Sequence, residues 1–392
     1  MGTPLRIDRR STQDGECCGR IGEFHGDPYE RFVSHAMHCG TRTNGFHNQN
    51  FLMPLLNDLA EQLGHHPNGP VKVRVPIPGA LKVVTRTWRH ESHLLRALQG
   101  RVPNVPALLK QSRRSSLHVY VEGVTLSVLC PPGKPVDTLY VKALADLFGT
   151  LNDVRRQDLP PLPMRWPKDG DSRGYLRCLA RLTDVFVRRP NWSRFGSLFT
   201  ALGVPRDAVR RYSAGIPAMR SRPYALLHTD LHRDNLVVTG DMARPLFFLD
   251  WELASYGDPL HDLATHLVRM RYPEDQWAEV IEAWRSAVSA VRPEAVAGLD
   301  DDLPLYLGFE RAQSVYPDVM RAAAGLRRDP GVRDLDLTAA EVRRALRRAR
   351  GPLGLELADD LTVITDALMD WRRRQSARHE APPPTGRVRP GG

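Results

Sequence analysis

Two short apolar runs with a glycine-containing turn between them stand out in a region that is otherwise helical in pattern. They are residues 235–238 (NLVV) and 245–250 (PLFFLD), and their length and spacing predict a β-hairpin. Asn235 begins the first run, Asp230 precedes it by five residues, and Asp250 closes the second. The hairpin is therefore expected to place Asp250 at a rigid strand end, beside the loop that carries Asp230 and Asn235.

The spacing of Asp230 and Asn235 matches the catalytic loop of protein kinases, His-x-Asp-x-x-x-x-Asn. Here the loop runs from His228 to Asn235. Phosphoryl transfer requires a group that orients a hydroxyl, and oxygen ligands that hold Mg²⁺ against the phosphates. Carboxylate and amide oxygens suit such a hard cation. We therefore predict that Asp230 is the catalytic base or orienting group, and that Asn235 and Asp250 are metal ligands.

The residues after the hairpin extend the match. Asp-Trp-Glu (250–252), Gly-Asp-Pro (257–259) and Asp-Leu-Ala (262–264) follow one another in order. This set closely resembles the aminoglycoside phosphotransferase and choline kinase superfamily, whose members have a protein-kinase-like fold. The resemblance implies a kinase that uses ATP or GTP with Mg²⁺. The sequence departs from the family at Thr229, where the family usually has glycine.

Several neighbouring residues have structural roles by pattern. Asp258 before Pro259 is typical of a helix N-cap followed by proline in the first turn. Asp262 is expected to brace the catalytic loop through hydrogen bonds, and His228 to bond to backbone near the metal-binding aspartate. Glu252 is a secondary candidate for an additional carboxylate near the metal.

The rest of the pattern predicts an α+β protein with a small strand-rich N-lobe and a larger, mainly helical C-lobe. Residues 28–124 are assigned to the N-terminal nucleotide-binding lobe, with a hinge at its end. Residues 125–376 are assigned to the helical catalytic and substrate lobe. We expect disorder in residues 1–27 and in the Pro/Gly/Arg tail, 377–392.

The nucleotide side is less sharply defined by the sequence. Gly45 and Asn48 resemble the family's first phosphate-covering loop, although an ordinary loop would have the same composition. Glu91 is the expected helix glutamate that pairs with a strand cation. Arg74, 17 residues earlier, is the preferred partner; Lys72 shares its strand face and remains open as the alternative.

The adenine-binding hinge is expected near Glu122, where a predicted strand ends at a glycine. Adenine would bond to backbone groups there, so the residue types do not separate ATP from GTP.

The composition excludes some classes of function. The chain of 392 residues has a formal net charge of +10, but it has no nucleic-acid recognition motif and no aromatic residues interleaved with basic ones. It has no apolar run long enough for a bilayer and no apolar signal core. We therefore expect neither a nucleic-acid nor a membrane partner, and a cytoplasmic location.

Three functions stay open at this point. The first is a kinase of small hydroxylated molecules. The second is a kinase of Ser or Thr hydroxyls in a peptide, and the third is a pseudokinase that binds nucleotide or acts as a scaffold. Residues 251–310 hold twelve carboxylates and four arginines, which favours an amino-bearing acceptor if these acids line a pocket. Acids on a solvent-facing helix surface would give the same count.

Overall fold

The computed structural model describes residues 27–43, 48–79, 81, 83–327, 329–356 and 360–380. The expected disorder of residues 1–27 and 377–392 falls almost wholly outside this range. The last described helix continues to residue 380.

The N-terminal part is built around an antiparallel sheet flanked by short helices. Its elements are α1 (Pro28–Cys39), β1 (Thr41–Thr43), β2 (Asn48–Pro54), α2 (Asn57–Leu63), β3 (Pro70–Pro76), α3 (Glu91–Leu98), β4 (Leu108–Gln111) and β5 (Ser116–Val119). Among the described residues, five strands pair in the order β1–β2–β3–β5–β4. The central strand β3 buries Val71 and Val73 on one face and turns Lys72 and Arg74 to the other.

One face of this sheet is covered by α1 and α2. The apolar side chains of both helices pack on the inward-facing residues of β2, β3 and β5, and the cluster excludes water completely at several positions. The buried members all lie between residues 29 and 117: Tyr29, Phe32, Val33, Ala36, Phe51, Met53, Leu55, Leu59, Ala60, Val71, Val73 and Leu117. The sheet therefore has a core of its own, and the side chains of Lys72 and Arg74 lie on its opposite face.

From residue 124 onward the chain is mainly helical, with short strands between the helices. The elements are β6 (Val124–Thr125), α4 (Leu126–Leu129), α5 (Thr138–Asp153), α6 (Ser172–Leu182), α7 (Arg189–Ala201), α8 (Ala208–Ala214), β7 (Ala225–Leu227), β8 (Leu236–Val238), β9 (Leu246–Phe248), β10 (Ser255–Gly257), α9 (Pro259–Met270), α10 (Trp277–Val291), α11 (Leu299–Gly325), α12 (Val332–Leu353) and α13 (Leu361–Glu380). A π-helical turn, Thr183–Arg188, joins α6 to α7. The strand-rich beginning and helical remainder confirm the α+β prediction.

The predicted hairpin consists of β8 and β9, which pair antiparallel from Leu236 opposite Phe248 to Val238 opposite Leu246. β6 adds to its other edge. Gly123 precedes β6 with φ 149°, and a Cβ there would lie 2.3 Å from the carbonyl oxygen of Val238. Glycine is required at this position because no side chain fits against the hairpin.

The chain divides into two compact units. The first contains residues up to 81, residues 86–170 and residues 222–297; the second contains residues 82–85, 171–221 and 298–392. The sheet, the hairpin and helices α5, α9 and α10 belong to the first unit, and α6–α8 and α11–α13 to the second. Every predicted site residue that the structure describes lies in the first unit. In the described part of the chain no helix has the length and apolar character needed to span a membrane.

Candidate functional site

The loop after β7 is held in place by the N-terminal turns of α9. The carboxylate of Asp262 accepts hydrogen bonds from the backbone N–H groups of His228 and Thr229, both at 2.8 Å. Burial, partly offset by these donors, raises the pKa of Asp262 to about 6. Asp258 accepts from the N–H of Leu260 at the start of α9, with proline in the first turn. Both acids make the contacts expected from the sequence.

Asp230 and Asn235 lie against each other at the two ends of this loop. The Asn235 Nδ2 donates to the carbonyl oxygen of Asp230 at 2.9 Å and to its Oδ2 at 3.2 Å. The other carboxylate oxygen, Oδ1, is paired with the guanidinium of Arg269. Burial raises the pKa of Asp230, and the charge of Arg269 opposes that rise. The carboxylate of Asp230 is 13% exposed, so it is shielded from bulk water but reachable.

Asp250 follows the hairpin strand β9 and has a left-handed backbone, with φ 61°. Its Oδ1 accepts a hydrogen bond from Arg74 at 3.1 Å, and its side chain is 36% exposed. Burial opposes its ionisation, but the charges of Arg74 and Lys72 outweigh burial and hold the pKa of Asp250 below its usual value. The backbone N–H of Leu249 donates to the carbonyl oxygen of Asn235 at 2.8 Å. This bond joins the strand that carries Asp250 to the loop that carries Asn235.

The donor set of this region fits a magnesium ion bound through a nucleotide. Within the described residues, Asn235 uses only its amide nitrogen, which leaves its Oδ1 available, and Asp250 has its Oδ2 without a protein partner. No group of three or more His, Cys, Asp or Glu side chains suited to a metal occurs in the described ranges. Mg²⁺ commonly takes one or two protein oxygens and completes its shell with phosphates and water. Two protein donors therefore match what this cation needs.

Arg74 on β3 and Glu91 on α3 form the expected ion pair. The Arg74 Nη1 lies 2.6 Å from the Glu91 Oε2, and both side chains are largely buried. The second oxygen of Glu91 accepts a hydrogen bond from the backbone N–H of Trp251 at 2.9 Å. Glu91 thus connects the N-terminal sheet to the residue that follows Asp250.

Lys72 shares the strand face of Arg74 but makes no hydrogen bond or ion pair with a described residue. Burial, and then the charge of Arg74, lower its pKa. His118 lies opposite Lys72 on β5, and burial lowers the pKa of His118 to about 3. It is therefore neutral near pH 7. Lys72 is therefore the cation on this strand face that has no partner among the described residues.

The carboxylate of Glu252 is paired with two arginines. It accepts a hydrogen bond from Arg86 at 2.8 Å and lies 3.8 Å from Arg74. Burial and the neighbouring charge of Asp250 raise the pKa of Glu252 to about 7.

Thr229, where the family has glycine, adopts φ 57°. A β-branched residue in this left-handed region is strained by an amount on the order of 1–3 kcal/mol. Its hydroxyl donates to the carbonyl oxygen of Leu253 at 2.7 Å, which offsets part of this strain. The loop therefore holds a left-handed residue at this position with threonine in place of glycine.

His228 is buried and neutral, because burial lowers its pKa to about 3. Its Nε2 lies 3.0 Å from the carbonyl oxygen of Leu249, and its Nδ1 lies 3.3 Å from the N–H of Asp230. A proton on Nε2 satisfies both contacts. His228 therefore bonds to backbone on both sides of the site, as the sequence predicts.

The other residues predicted to bind the nucleotide are Gly45, Asn48 and Glu122. Gly45 lies outside the described residues. Asn48 is the first residue of β2, opposite Pro76, and Glu122 is exposed just before β6. Their assignment to nucleotide binding stays a prediction.

Sequence reasoning did not identify three arginines that organise the site. Arg222 is fully buried and makes a two-pronged ion pair with Asp258, with its closest contact at 2.7 Å. Arg233, inside the catalytic loop, donates to the carbonyl oxygens of Cys130, Pro131, Lys134 and Met270 at 2.7–2.9 Å. Arg269 pairs with Asp230. Each contact spans many residues of sequence, so local patterns contain no signal for it.

The Arg222–Asp258 pair gives a prediction about stability. Removing one partner of a fully buried pair leaves an unpaired charge, so Arg222→Gln is expected to lower the free energy of unfolding by roughly 3–5 kcal/mol. Arg155, 68% exposed and 3.2 Å from Asp158, is the matched control, and Arg155→Gln is expected to cost less than about 1 kcal/mol. Urea denaturation followed by tryptophan fluorescence measures both. Equal effects of the two substitutions would contradict the structural importance of the buried pair.

The acids of residues 251–310 are distributed in two ways. Five are buried or paired with other groups of the protein: Glu252, Asp258, Asp262, Asp302 and Glu310. The other seven are exposed: Glu274, Asp275, Glu279, Glu282, Glu294, Asp300 and Asp301. Most of the acidic residues of this region therefore have solvent-exposed side chains.

Comparison with known proteins places this geometry in a family. A model of the phosphotransferase enzyme family matches residues 65–299, more than half of the chain. The chain belongs to this family. It is a phosphotransferase with an alcohol group as acceptor.

Solved structures share the two-lobed, protein-kinase-like fold. The chain is similar to a candidate aminoglycoside phosphotransferase of Ralstonia eutropha, with 16% identity, a TM-score of 0.50, and coverage of 86% of this chain and 92% of that chain. It is also similar to an ethanolamine kinase of Plasmodium vivax (13% identity, TM-score 0.48, coverage 82% and 83%). A choline kinase of Streptococcus pneumoniae is similar at 14% identity, with a TM-score of 0.47 and coverage of 78% and 91%. No curated protein matches the chain in sequence.

Proposed function

We propose that the protein is a Mg²⁺-dependent kinase that transfers the γ-phosphoryl group of ATP or GTP to a hydroxyl of a small, amino-bearing molecule. The observation that carries this proposal is the convergence of Asp230, Asn235 and Asp250 around one short loop and one strand end. In this proposal Asp230 orients the acceptor hydroxyl and takes its proton. When bound, the metal neutralises charge on the phosphates, with Asn235 and Asp250 as its protein ligands.

The amino-bearing acceptor is supported by the seven exposed acids of the 251–310 region. Five of them lie in the first unit, on the 3₁₀ turns at 274–276 and 293–296 and on α10. A negative surface of this kind raises the local concentration of cations and speeds their capture. A cytoplasmic location, where nucleotide is available, stays a prediction.

A phosphorylation screen tests the acceptor class. Purified protein is incubated with ATP or GTP and Mg²⁺ and with aminoglycosides, amino alcohols, neutral sugars or Ser/Thr-containing peptides, and the products are read by mass spectrometry. We expect a mass gain of one phosphoryl group on an amino-bearing small molecule, no gain with EDTA, and a gain that forms roughly 10²–10⁴-fold more slowly with the Asp230→Asn variant. A gain on peptides alone would overturn the small-molecule acceptor and leave the kinase intact. Nucleotide binding without transfer to any acceptor would favour a pseudokinase.

The β3 cations give a second prediction, on nucleotide affinity. Because Arg74 contacts Glu91 at 2.6 Å, Arg74→Gln and Glu91→Gln are expected to be strongly non-additive, with a coupling of about 0.5–3 kcal/mol. Lys72 has no hydrogen bond or ion pair within the described ranges, so Lys72→Gln is expected to weaken nucleotide binding with a smaller coupling to Glu91. Isothermal titration of the single and double variants with a non-hydrolysable nucleotide measures both cycles. A larger coupling for Lys72 than for Arg74 would reverse the assignment of the pair.

A further inference from the structure

One face of α9 contacts the catalytic loop at three successive places. Asp262, His266 and Arg269 are spaced i, i+4 and i+7, so they lie along the same side of the helix. Asp262 holds the N–H groups of His228 and Thr229. The Nδ1 of His266 lies 3.0 Å from the carbonyl oxygen of Leu231. Arg269 is paired with the carboxylate of Asp230, the residue between Thr229 and Leu231.

The contact of Arg269 is with the reactive group itself rather than with backbone. Its Nη1 is hydrogen-bonded to the Oδ1 of Asp230, and Asn235 holds the Oδ2 from the other side at 3.2 Å. His232 is at 3.7 Å from the same Oδ1. A carboxylate has about four lone-pair sites. The two hydrogen bonds fix the plane of the carboxylate and leave lone pairs on both oxygens for an incoming hydroxyl.

The charge of Arg269 also has a consequence for the buried carboxylate. Asp230 is 13% exposed and Arg269 is 30% exposed, so the pair is only partly screened by water. Charge-assisted hydrogen bonds between guanidinium and carboxylate are roughly twice as strong as neutral ones. Arg269 is therefore able to hold the Asp230 side chain in one orientation while no acceptor is bound.

From this geometry we propose that Arg269 is a positioning residue for phosphoryl transfer. The inference rests on the proposed function, in which the acceptor hydroxyl gives its proton to Asp230 as its oxygen bonds to the γ-phosphorus. The bond from that phosphorus to the bridging oxygen breaks in the same step, and the nucleoside diphosphate leaves with the electron pair. Arg269 fixes the direction from which the Asp230 carboxylate meets the hydroxyl. It acts through Asp230, and it makes no contact with the phosphates in this role.

The test compares Arg269→Gln, Arg269→Lys and a matched control. Arg271, two residues further along, is exposed at the end of α9 and makes no ion pair with a described residue, so Arg271→Gln controls for loss of one positive charge nearby. We expect Arg269→Gln to lower kcat roughly 10–100-fold, because positioned groups lose efficiency when displaced by about 1 Å. Nucleotide affinity is expected to stay within about twofold. Arg269→Lys, which restores the charge without the fork, is expected to recover a substantial part of kcat.

Two results would overturn the inference. One is an Arg269→Gln enzyme with the kcat of the Arg271→Gln control. The other is a fall in kcat that comes with an equal fall in nucleotide affinity and melting temperature and that lysine does not relieve, because that pattern belongs to a structural role.

The failure of the inference can be told apart from the failure of the proposed function. If Asp230→Asn transfers phosphate as fast as the wild type, the proposed function is wrong. If Asp230→Asn is slow and Arg269→Gln is not, only the role of Arg269 is wrong. If the proposed function and the role of Arg269 are both correct, the double variant Asp230→Asn/Arg269→Gln is expected to be no slower than Asp230→Asn alone, since Arg269 acts through that carboxylate.

Discussion

Asp250→Ala is expected to lower phosphoryl transfer by at least about 10³-fold. A metal ion supplies several kcal/mol of charge stabilisation in the transition state, and each 1.4 kcal/mol is about tenfold in rate. Asp250 is the carboxylate at the hairpin end, with Oδ2 available and its pKa held low by Arg74 and Lys72. The variant would retain the pairing of Arg74 with Glu91, so the N-terminal sheet is expected to remain folded.

The measurement is the rate of nucleotide turnover against Mg²⁺ concentration, with EDTA as the blank. Asp241→Ala is the matched control, because Asp241 is an exposed carboxylate in the turn of the same hairpin. Asn235→Ala is expected to raise the Mg²⁺ concentration needed for half-maximal rate, since it removes the amide oxygen of the pair. Wild-type turnover by the Asp250 variant would refute the metal assignment.

Asp230→Asn is expected to cut transfer roughly 10²–10⁴-fold, the usual contribution of a positioned base, and to leave nucleotide affinity nearly unchanged. The amide keeps the shape of the side chain but cannot accept the hydroxyl proton as a carboxylate does. Asn235 still holds the loop from the carbonyl oxygen of residue 230 at 2.9 Å.

Binding and transfer are measured separately for this variant, by titration with a non-hydrolysable nucleotide and by product formation in single-turnover experiments. Loss of nucleotide binding with transfer preserved per bound nucleotide would contradict the role of Asp230. A parallel measurement on Asp234→Asn, at an exposed loop position, controls for the removal of a charge from the same loop.

The parts of the site that could be predicted from the sequence are those encoded locally. Asp258 and Pro259 cap a helix by adjacent residues, and the order Asp230, Asn235, Asp250 lies within one short stretch. The Arg74–Glu91 pair could also be predicted, because it joins a strand to the next helix and the length of that connection is characteristic of the fold. The α+β class followed from the change of apolar period along the chain.

The three arginines could not be predicted in this way. Arg233 contacts backbone carbonyls about 100 residues earlier in the chain, and carbonyl groups have no sequence signature. Arginine is the most abundant charged residue here, so a single arginine such as Arg222 or Arg269 does not stand out. The acidic excess of residues 251–310, in contrast, is visible in the sequence. Most of these acidic side chains lie on the surface, so the excess does not identify a binding site.

The way the first unit is divided along the chain has a consequence for synthesis on the ribosome. All buried members of the sheet core lie between residues 29 and 117, so this part can pack while the rest is still being translated. Glu91, however, precedes its partner Trp251 by 160 residues, and the unit is complete only at residue 297. Leu117, the last buried member of the sheet core, precedes Trp251 by 134 residues, and at elongation rates of about 5–20 residues per second this interval lasts roughly 7–27 s. Throughout it the nascent chain carries a packed sheet whose Arg74 and Lys72 face an unfinished site.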